Sequence, residues 1–216
     1  MTVVKYKSMT EVLAEQLRKS IIIGEFPPGM RLTESDIAQK MGVSRMVVRE
    51  AMLMLIHEGL LIKKPNRHTS VVSLDIKDIE DIYDMRIAIE QGAARLCINE
   101  PEFIKVAAKR CDAIKKLSAN KLANPDEIIK ADMAFHTYMV ESSNNSRMVN
   151  VWNELYSLML LLLYQYLEKS EYKLNLSHDE IVNSFKGGDL TDICKEIHIH
   201  IEDAKNELIK QAKDSR

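Results

Sequence analysis

The run Gly42-Val43-Ser44-Arg45-Met46-Val47-Val48-Arg49-Glu50-Ala51 constrains this chain more than any other stretch, because it specifies a stop, a turn and a restart of helix within a few residues. Glycine reaches the left-handed conformation that ends a helix without steric cost, and Ser44 can cap the next helix by accepting hydrogen bonds from its free first-turn N–H groups. Arg45 and Arg49 follow at i, i+4, so both guanidiniums share one exposed face while Val48, Ala51, Met52 and Leu55 hold the opposite face against a core. An arginine fork can bond O6 and N7 of guanine together in a major groove, and it can also clamp phosphates. The segment therefore reads as a DNA-recognition helix, against the plainer alternative of an amphipathic helix with two solvated arginines.

The flanks favour the first reading. Ser8-x-x-Glu11 is a capping box ahead of Val12, Leu13, Leu17, Ile21 and Ile22, apolar positions at helical spacing, and Gly24 ends that helix. Thr33-x-x-Asp36 opens a short helix through Lys40, which Gly42 terminates, so a second helix precedes the recognition helix in the order of a helix-turn-helix. Downstream, Leu60-Leu61-Ile62-Lys63-Lys64 and Thr69-Ser70-Val71-Val72 predict two short strands joined by Pro65-Asn66-Arg67-His68, a basic hairpin that serves as a wing.

With 216 residues the chain has room for one large or two small domains, each with a sizeable core. Residues 1–75 carry 11 Lys and Arg against 8 Asp and Glu, whereas 76–216 carry 19 against 24, so a net charge of +3 precedes one of −5. A mildly basic head on an acidic body fits a DNA reader joined to a separate sensor. Cys97, Cys111 and Cys194 are odd in number and scattered, which argues against a disulfide framework or a thiolate zinc site and suits a reducing cytoplasm. No signal pattern opens the chain, and its longest apolar run, Leu158 to Tyr164, falls far short of the roughly 20 residues a membrane span needs.

From residue 76 onward no strand alternation is found. The expected fold class is mainly α: an N-terminal winged helix-turn-helix over residues 1–73 and a C-terminal all-α six-helix bundle over 76–216. Helices are predicted at 76–99, 101–121, 125–142, 146–169, 177–186 and 189–213, with Pro101 and Pro125 in first turns and Gly187-Gly188 before the last.

Within the bundle, Asp132 and His136 lie four apart on a helix whose inward stripe is Ile129, Asp132, Met133, His136, Met139 and Val140. That stripe turns both polar groups toward the core, and a buried polar group needs a partner. His200 shares an inward stripe with Ile193, Ile197 and Ala204, whereas His198 falls on the wet face with Thr191, Lys195, Glu202 and Lys205. His178 opens the fifth helix beside Asp179 and Glu180. One carboxylate and three imidazoles converging in a helical bundle have the donor set of a divalent-metal site with open positions. The alternative is a local Asp–His hydrogen bond and separately satisfied core histidines. Arg86 shares a helical face with Tyr83, Ile87 and Glu90, which allows either an Arg86–Glu90 ion pair or a clamp for a ligand carboxylate.

These residues carry two resemblances. Gly24-Glu25-Phe26-Pro27-Pro28-Gly29-Met30-Arg31-Leu32-Thr33-Glu34, with Gly42-Val43-Ser44-Arg45 and Val48-Arg49-Glu50-Ala51, resembles the winged-helix domain of GntR-type bacterial repressors over residues 8–73. The resemblance implies that Ser44, Arg45 and Arg49 contact DNA and that Arg67 carries the wing into the neighbouring groove; His68 stands where that family often has a glycine. Asp132-Met133-Ala134-Phe135-His136, Asn145, His178, Gly188-Asp189 and His200 follow the order and approximate spacing of the FCD effector domain, found in the FadR branch of those regulators. This second resemblance implies Asp132, His136, His178 and His200 as metal ligands, Arg86 facing the metal cavity, and Asn145 as a further polar contact to the effector.

The resulting expectation is a cytoplasmic, ligand-responsive transcriptional regulator, a repressor and not an enzyme. It would bind a palindromic double-stranded operator as a homodimer, carry a Zn, Ni or Mn ion, and answer to a small carboxylate held by the metal and Arg86. Two alternatives stay open: a sensor in which the ion itself is the signal, and a metallohydrolase fused to a DNA-binding head, for which no general base beyond the ligands is evident.

Overall fold

The computed structural model describes residues 7–64, 68–120, 122–167 and 177–214. Its helices begin where side chains can satisfy first-turn N–H groups. In α1 (Met9–Ile22), Ser8 Oγ accepts from Glu11 N and Glu11 Oε2 accepts from Ser8 N at 2.7 Å, closing the capping box. The buried stripe of α1 is Leu13, Ala14, Leu17, Ile21 and Ile22. Val12, which the apolar spacing placed on that stripe, stands 37 % exposed at its edge, and Ala14 takes the inward position.

The short strand β1 (Arg31–Leu32) leads into α2 (Glu34–Met41), capped by Thr33 and closed by Gly42 at φ +67°. α3 (Arg45–His57) follows with Ser44 Oγ accepting from Val47 N at 3.3 Å, and buries Val48, Ala51, Met52 and Leu55. β2 (Leu61–Lys63) and β3 (Thr69–Val71) complete an antiparallel sheet in the order β1-β3-β2, with Ser70 paired to Arg31 on one side and Ile62 on the other. A two-residue strand shows no alternation of its own, so β1 emerges only through its pairing with the wing strand β3.

Two compact units divide the chain. The first comprises residues through Leu74 together with Glu154–Gln165, the middle of α7 (Ser146–Leu167). Leu161 of α7 is 3 % exposed and joins the core of Leu13, Leu17, Val48, Leu55, Leu60 and Val71. At the end of α3, Glu58 collects both prongs of the Arg18 fork, at 2.6 and 2.5 Å, and the Ser157 hydroxyl at 3.0 Å. Gly59 then turns with φ +74°, and Leu158 packs so closely that a Cβ there would lie 3.3 Å from its Cδ1.

The second unit spans Asp75–Asn153 and Tyr166 onward. It holds α4 (Ile76–Cys97), α5 (Pro101–Ala119), α6 (Pro125–Ser142), α8 (Asp179–Gly187), α9 (Leu190–Asp214) and the outer parts of α7. α4 packs on α6 and α9, α5 on α6 and α8, and α8 on α9. The C-terminal unit is helical throughout its described residues. Two of the helix ends that depart from the predicted bounds have plain local reasons. α4 stops at Cys97 rather than 99, since Pro101 biases Glu100 to extended backbone at φ −94° and ψ 99°. α8 begins at Asp179 rather than 177, because His178 sits at the N-cap position with φ −103° and ψ 12°.

Leu161 tests the division. Replacing Leu161 by Ala removes a buried side chain from the first unit's core and should cost about 2–5 kcal/mol there. Hydrogen exchange should show faster opening of the amides of α1 and α3 with those of α9 unchanged. Equal loss of protection in both units, or in neither, would show that the middle of α7 is not part of the first core.

Candidate metal centre and nucleic-acid interface

The polar centre of the second unit is assembled from four helices. α6 contributes Asp132 and His136 from its inward face, with Ile129, Met133, Phe135, Met139 and Val140 buried around them. α8 contributes His178 from its N-cap position and α9 contributes His200, while His198 remains exposed. One ligand atom from each of Asp132, His136, His178 and His200 can be chosen so that all lie within 4.8 Å of one another. His178 Nε2 stands 3.1 Å from His136 Nε2 and 3.3 Å from Asp132 Oδ1. The His200 ring lies 5.2 Å from that of His136 and 4.4 Å from that of His178, centroid to centroid, and Phe135 closes one wall against His178.

α4 supplies the supporting groups. Glu90, fully buried, places Oε2 2.6 Å from His136 Nδ1 and accepts from Arg86 Nε on Oε1 at 2.8 Å. A carboxylate on Nδ1 fixes that nitrogen as the N–H donor, which leaves the Nε2 lone pair facing the cluster. The ionisation of these groups follows from their neighbours. Burial lowers the pKa of His136, opposed by Glu90, and burial together with His178 and His136 holds His200 well below the usual imidazole range. Burial alone would raise both carboxyls, yet the bond from His178 holds Asp132 below its ordinary range, and the bonds from His136 and Arg86 do the same for Glu90. Arg86 is pushed up despite burial, chiefly by Glu90. Neutral His136 and His200 beside an ionised Asp132 are the protonation states that a divalent cation requires, and three imidazoles with one carboxylate within reach of one another are a donor set that fits a metal.

Two of the sequence-derived contacts fall differently. Arg86 is 2 % exposed and does lie beside the cluster, through Glu90. Asn145 instead caps α7, its Oδ1 accepting from Arg147 N at 3.1 Å and Met148 N at 3.3 Å. It lines a surface depression with Ala88, Gln91, Arg95, Met148 and Cys194, none of them a residue of the metal cluster. Glu90 was the residue that sequence reasoning weighed only as a partner for Arg86. Its contact with His136 spans 46 residues, and no spacing along one helix reveals it.

In the first unit the recognition face is set by α3. Ser44, Arg45, Met46 and Arg49 are all exposed. The Arg49 fork is closed on Glu34, the first residue of α2, with Nε–Oε1 2.9 Å and Nη2–Oε2 3.0 Å, and the side chains are 60 % and 34 % exposed. That bond holds Glu34 below its usual carboxylate range and raises Arg49. A depression beside the pair is lined by Met52, Ile56, Lys63 and Thr69, and a second one joins Arg45 to Arg31, Ser35 and His68. The helix face and the two wing strands thus present one basic surface with Glu34 set into it. Arg67 lies outside the described residues. Glu34 is a further residue that sequence reasoning passed over, having no periodic relation to Arg49.

Comparison with known proteins bears on both units. Residues 9–71 match the profile of bacterial regulatory proteins of the gntR family, and residues 81–203 match the FCD domain. The gluconate operon transcriptional repressor of Bacillus licheniformis is 27 % identical over 205 residues, covering 91 % of this chain and 83 % of that protein. The HTH-type transcriptional regulator YdhC of Bacillus subtilis strain 168 is 37 % identical over 138 residues, 63 % of this chain and 61 % of that protein's length. Among solved structures, E. coli McbR/YncC shares the fold with a TM-score of 0.77 at 19 % identity, covering 95 % of this chain and 99 % of the other.

The role of Glu90 is open to direct measurement. Glutamine in its place can accept from His136 or from Arg86 but cannot do both, since its amide nitrogen only donates. Glu90→Gln should therefore weaken metal binding about 10–100-fold in a competition titration against a chromophoric chelator. Wild-type metal affinity in this variant would remove Glu90 from the support of the centre.

Proposed function

This chain belongs to the gntR family of bacterial regulatory proteins, in the FadR branch that carries a C-terminal FCD domain, and from that premise we propose that it is an operon repressor controlled by a small organic acid bound at a metal. Members of this family are transcriptional regulators and not enzymes. No helix among the described residues is long and apolar enough to cross a membrane.

The carrying observation is the charge of the buried centre. Arg86 counts +1, Asp132 and Glu90 −1 each, and ligating imidazoles are neutral, so the residues alone leave one negative charge at the centre. A divalent ion and one monocarboxylate bring that sum to zero, whereas the ion alone leaves it positive. When bound, the ion supplies a Lewis-acid anchor for carboxylate and hydroxyl or keto oxygens. Asp132, His136, His178 and His200 hold it; Zn²⁺, Ni²⁺ and Mn²⁺ suit a site of nitrogen and oxygen donors. Arg86 provides the counter-charge for the acid. The requirement for an anion favours the acid as the signal over the metal-only reading.

On the DNA side, Ser44 fixes the start of α3 and Arg45 and Arg49 read base edges, with Arg67 of the wing reaching the adjacent groove. We assign residues 1–73 to reading DNA and 76–216 to sensing, and place two copies of the chain on a palindromic operator. The acid acts by favouring one arrangement of the two reading heads, which requires different affinities for the DNA-bound and free forms. Asn145 is left as a helix cap.

Fluorescence anisotropy on the operator, with metal and acids added separately, tests this reading. Because a relative is named for a gluconate operon, gluconate belongs in the panel with simpler hydroxy acids. About one divalent ion per chain should survive desalting, and one acid class should change operator affinity only in the metal-loaded protein. Arg45→Ala and Arg49→Ala should each weaken operator binding roughly tenfold or more at matched salt. A response to metal that no acid modifies would establish the ion as the signal instead.

A further inference from the structure

The recognition face of α3 exposes an apolar side chain among charged ones. Met46, the second residue of the helix, is 63 % exposed, more than any other large apolar residue described in the first unit. Arg45 and Arg49 lie along one flank of it, both exposed. On the other flank, Glu50 accepts from Thr10 Oγ1 at 3.0 Å and is thereby drawn toward α1. Leu53 stands above Met46 on the same face, about two turns and 10 Å along the axis, and lines the depression shared with Arg49 and Lys63. The charges around Met46 are therefore basic on the side that faces away from α1.

We propose that Met46 is a specificity-determining residue that packs on the C5-methyl group of a thymine in the major groove, beside the bases read by Arg45 and Arg49. The proposal rests on the DNA-reading assignment of α3 given above. Recognition helices set their N-terminal residues against base edges, and Met46 lies in the first turn, directly after Arg45. The basic flank of Arg45, Arg49 and Lys63 commits this face to a polyanion rather than to an apolar protein surface. Methionine has no hydrogen to donate and its thioether is only a weak acceptor, so it holds neither a phosphate nor the polar edge of a base. Thymine alone offers an apolar group on the major-groove edge, its methyl. Against any other base the side chain would cover polar edge atoms and remove their water without replacing it. Met46 thus selects for thymine and against the alternatives at once. Its unbranched, polarisable side chain adjusts to the methyl without requiring the helix to shift.

The test uses the full-length protein to enrich a randomised duplex library. The enriched duplex is then resynthesised with deoxyuridine at each thymine in turn, which deletes one methyl and leaves the rest of the base edge unchanged. Wild type and Met46→Ala are compared by fluorescence anisotropy at matched salt. For wild type, one thymine in each half-site should show a loss of about fourfold when its methyl is removed, the worth of one buried methyl group. Met46→Ala should bind the thymine duplex more weakly by about fourfold or more, and should no longer distinguish uracil from thymine at that position. The two proteins should melt together, because the deleted side chain is exposed. An enriched sequence without thymine, a wild type indifferent to every methyl, or a Met46→Ala variant that keeps the same loss would overturn the proposal and leave DNA reading by Arg45 and Arg49 intact. A variant that melts several degrees below wild type would reveal a packing partner for Met46 and overturn the proposal as well. Enrichment of no sequence at all would overturn DNA reading by α3, and this proposal with it.

Discussion

One buried carboxylate organises the sensor domain. Glu90 has two oxygens and two claimants, Arg86 Nε on one and His136 Nδ1 on the other. Each bond does something the other cannot. The first holds a guanidinium at full burial, which would otherwise carry a desolvation cost of several kcal/mol without a counter-charge. The second selects the tautomer of His136 and so decides which nitrogen faces Asp132, His178 and His200. Because the carboxylate is shared, neither partner is fully satisfied by it, and the unfilled prong of Arg86 is a direct consequence of the bond to His136.

That arrangement makes the centre expensive as protein alone. Asp132, Glu90 and Arg86 are ionised inside a helical bundle among Phe135, Met133 and Met139, and two of the three are carboxylates. Apolar residues of the same volume would make a more stable core, as buried ion pairs rarely repay their desolvation in full. On the proposed reading these groups gain full value only with a cation and an anion present. The two ligands would then be coupled: the cation would relieve the repulsion between Asp132 and Glu90 and make the centre receptive to an anion at Arg86. Ligands so coupled must strengthen each other's binding to the same degree.

The sequence disclosed what depends on neighbours along the chain. Ser8, Thr33 and Ser44 mark helix starts because their side chains reach N–H groups three residues on, and each of these caps forms in the structure. The 3.6-residue period separates His200 from His198 and turns Asp132 and His136 inward, so three of the candidate ligands could be named without knowing how the helices pack, while His178, at an N-cap, is marked by its place before a helix and by the family pattern. What lay hidden depends on pairing between distant segments. The Glu90–His136 contact, the allocation of Leu161 to the first core, and the two-residue strand β1 leave no periodic trace. Asn145 carries a role the family pattern does not express: an asparagine directly ahead of a helix is a cap by elementary chemistry, and its Oδ1 takes that role here.

The reading head solves its charge problem by the contrary means. Glu34 and Arg49 meet at the surface, where water already stabilises both, so their bond adds little and is readily exchanged. DNA offers Arg49 an alternative acceptor of the same planar geometry, the O6 and N7 edge of guanine. Exchange costs little because the released Glu34 carboxylate can return to solvent, and the repulsion between that carboxylate and nearby phosphates penalises placements in which Arg49 finds no base edge. On the proposed reading the pair would orient the guanidinium in the free protein and disfavour backbone-only contact. Arg86 and Arg49 thus meet the same carboxylate chemistry with opposite outcomes, one fixed by burial with an unfilled prong, the other solvated and able to exchange its partner.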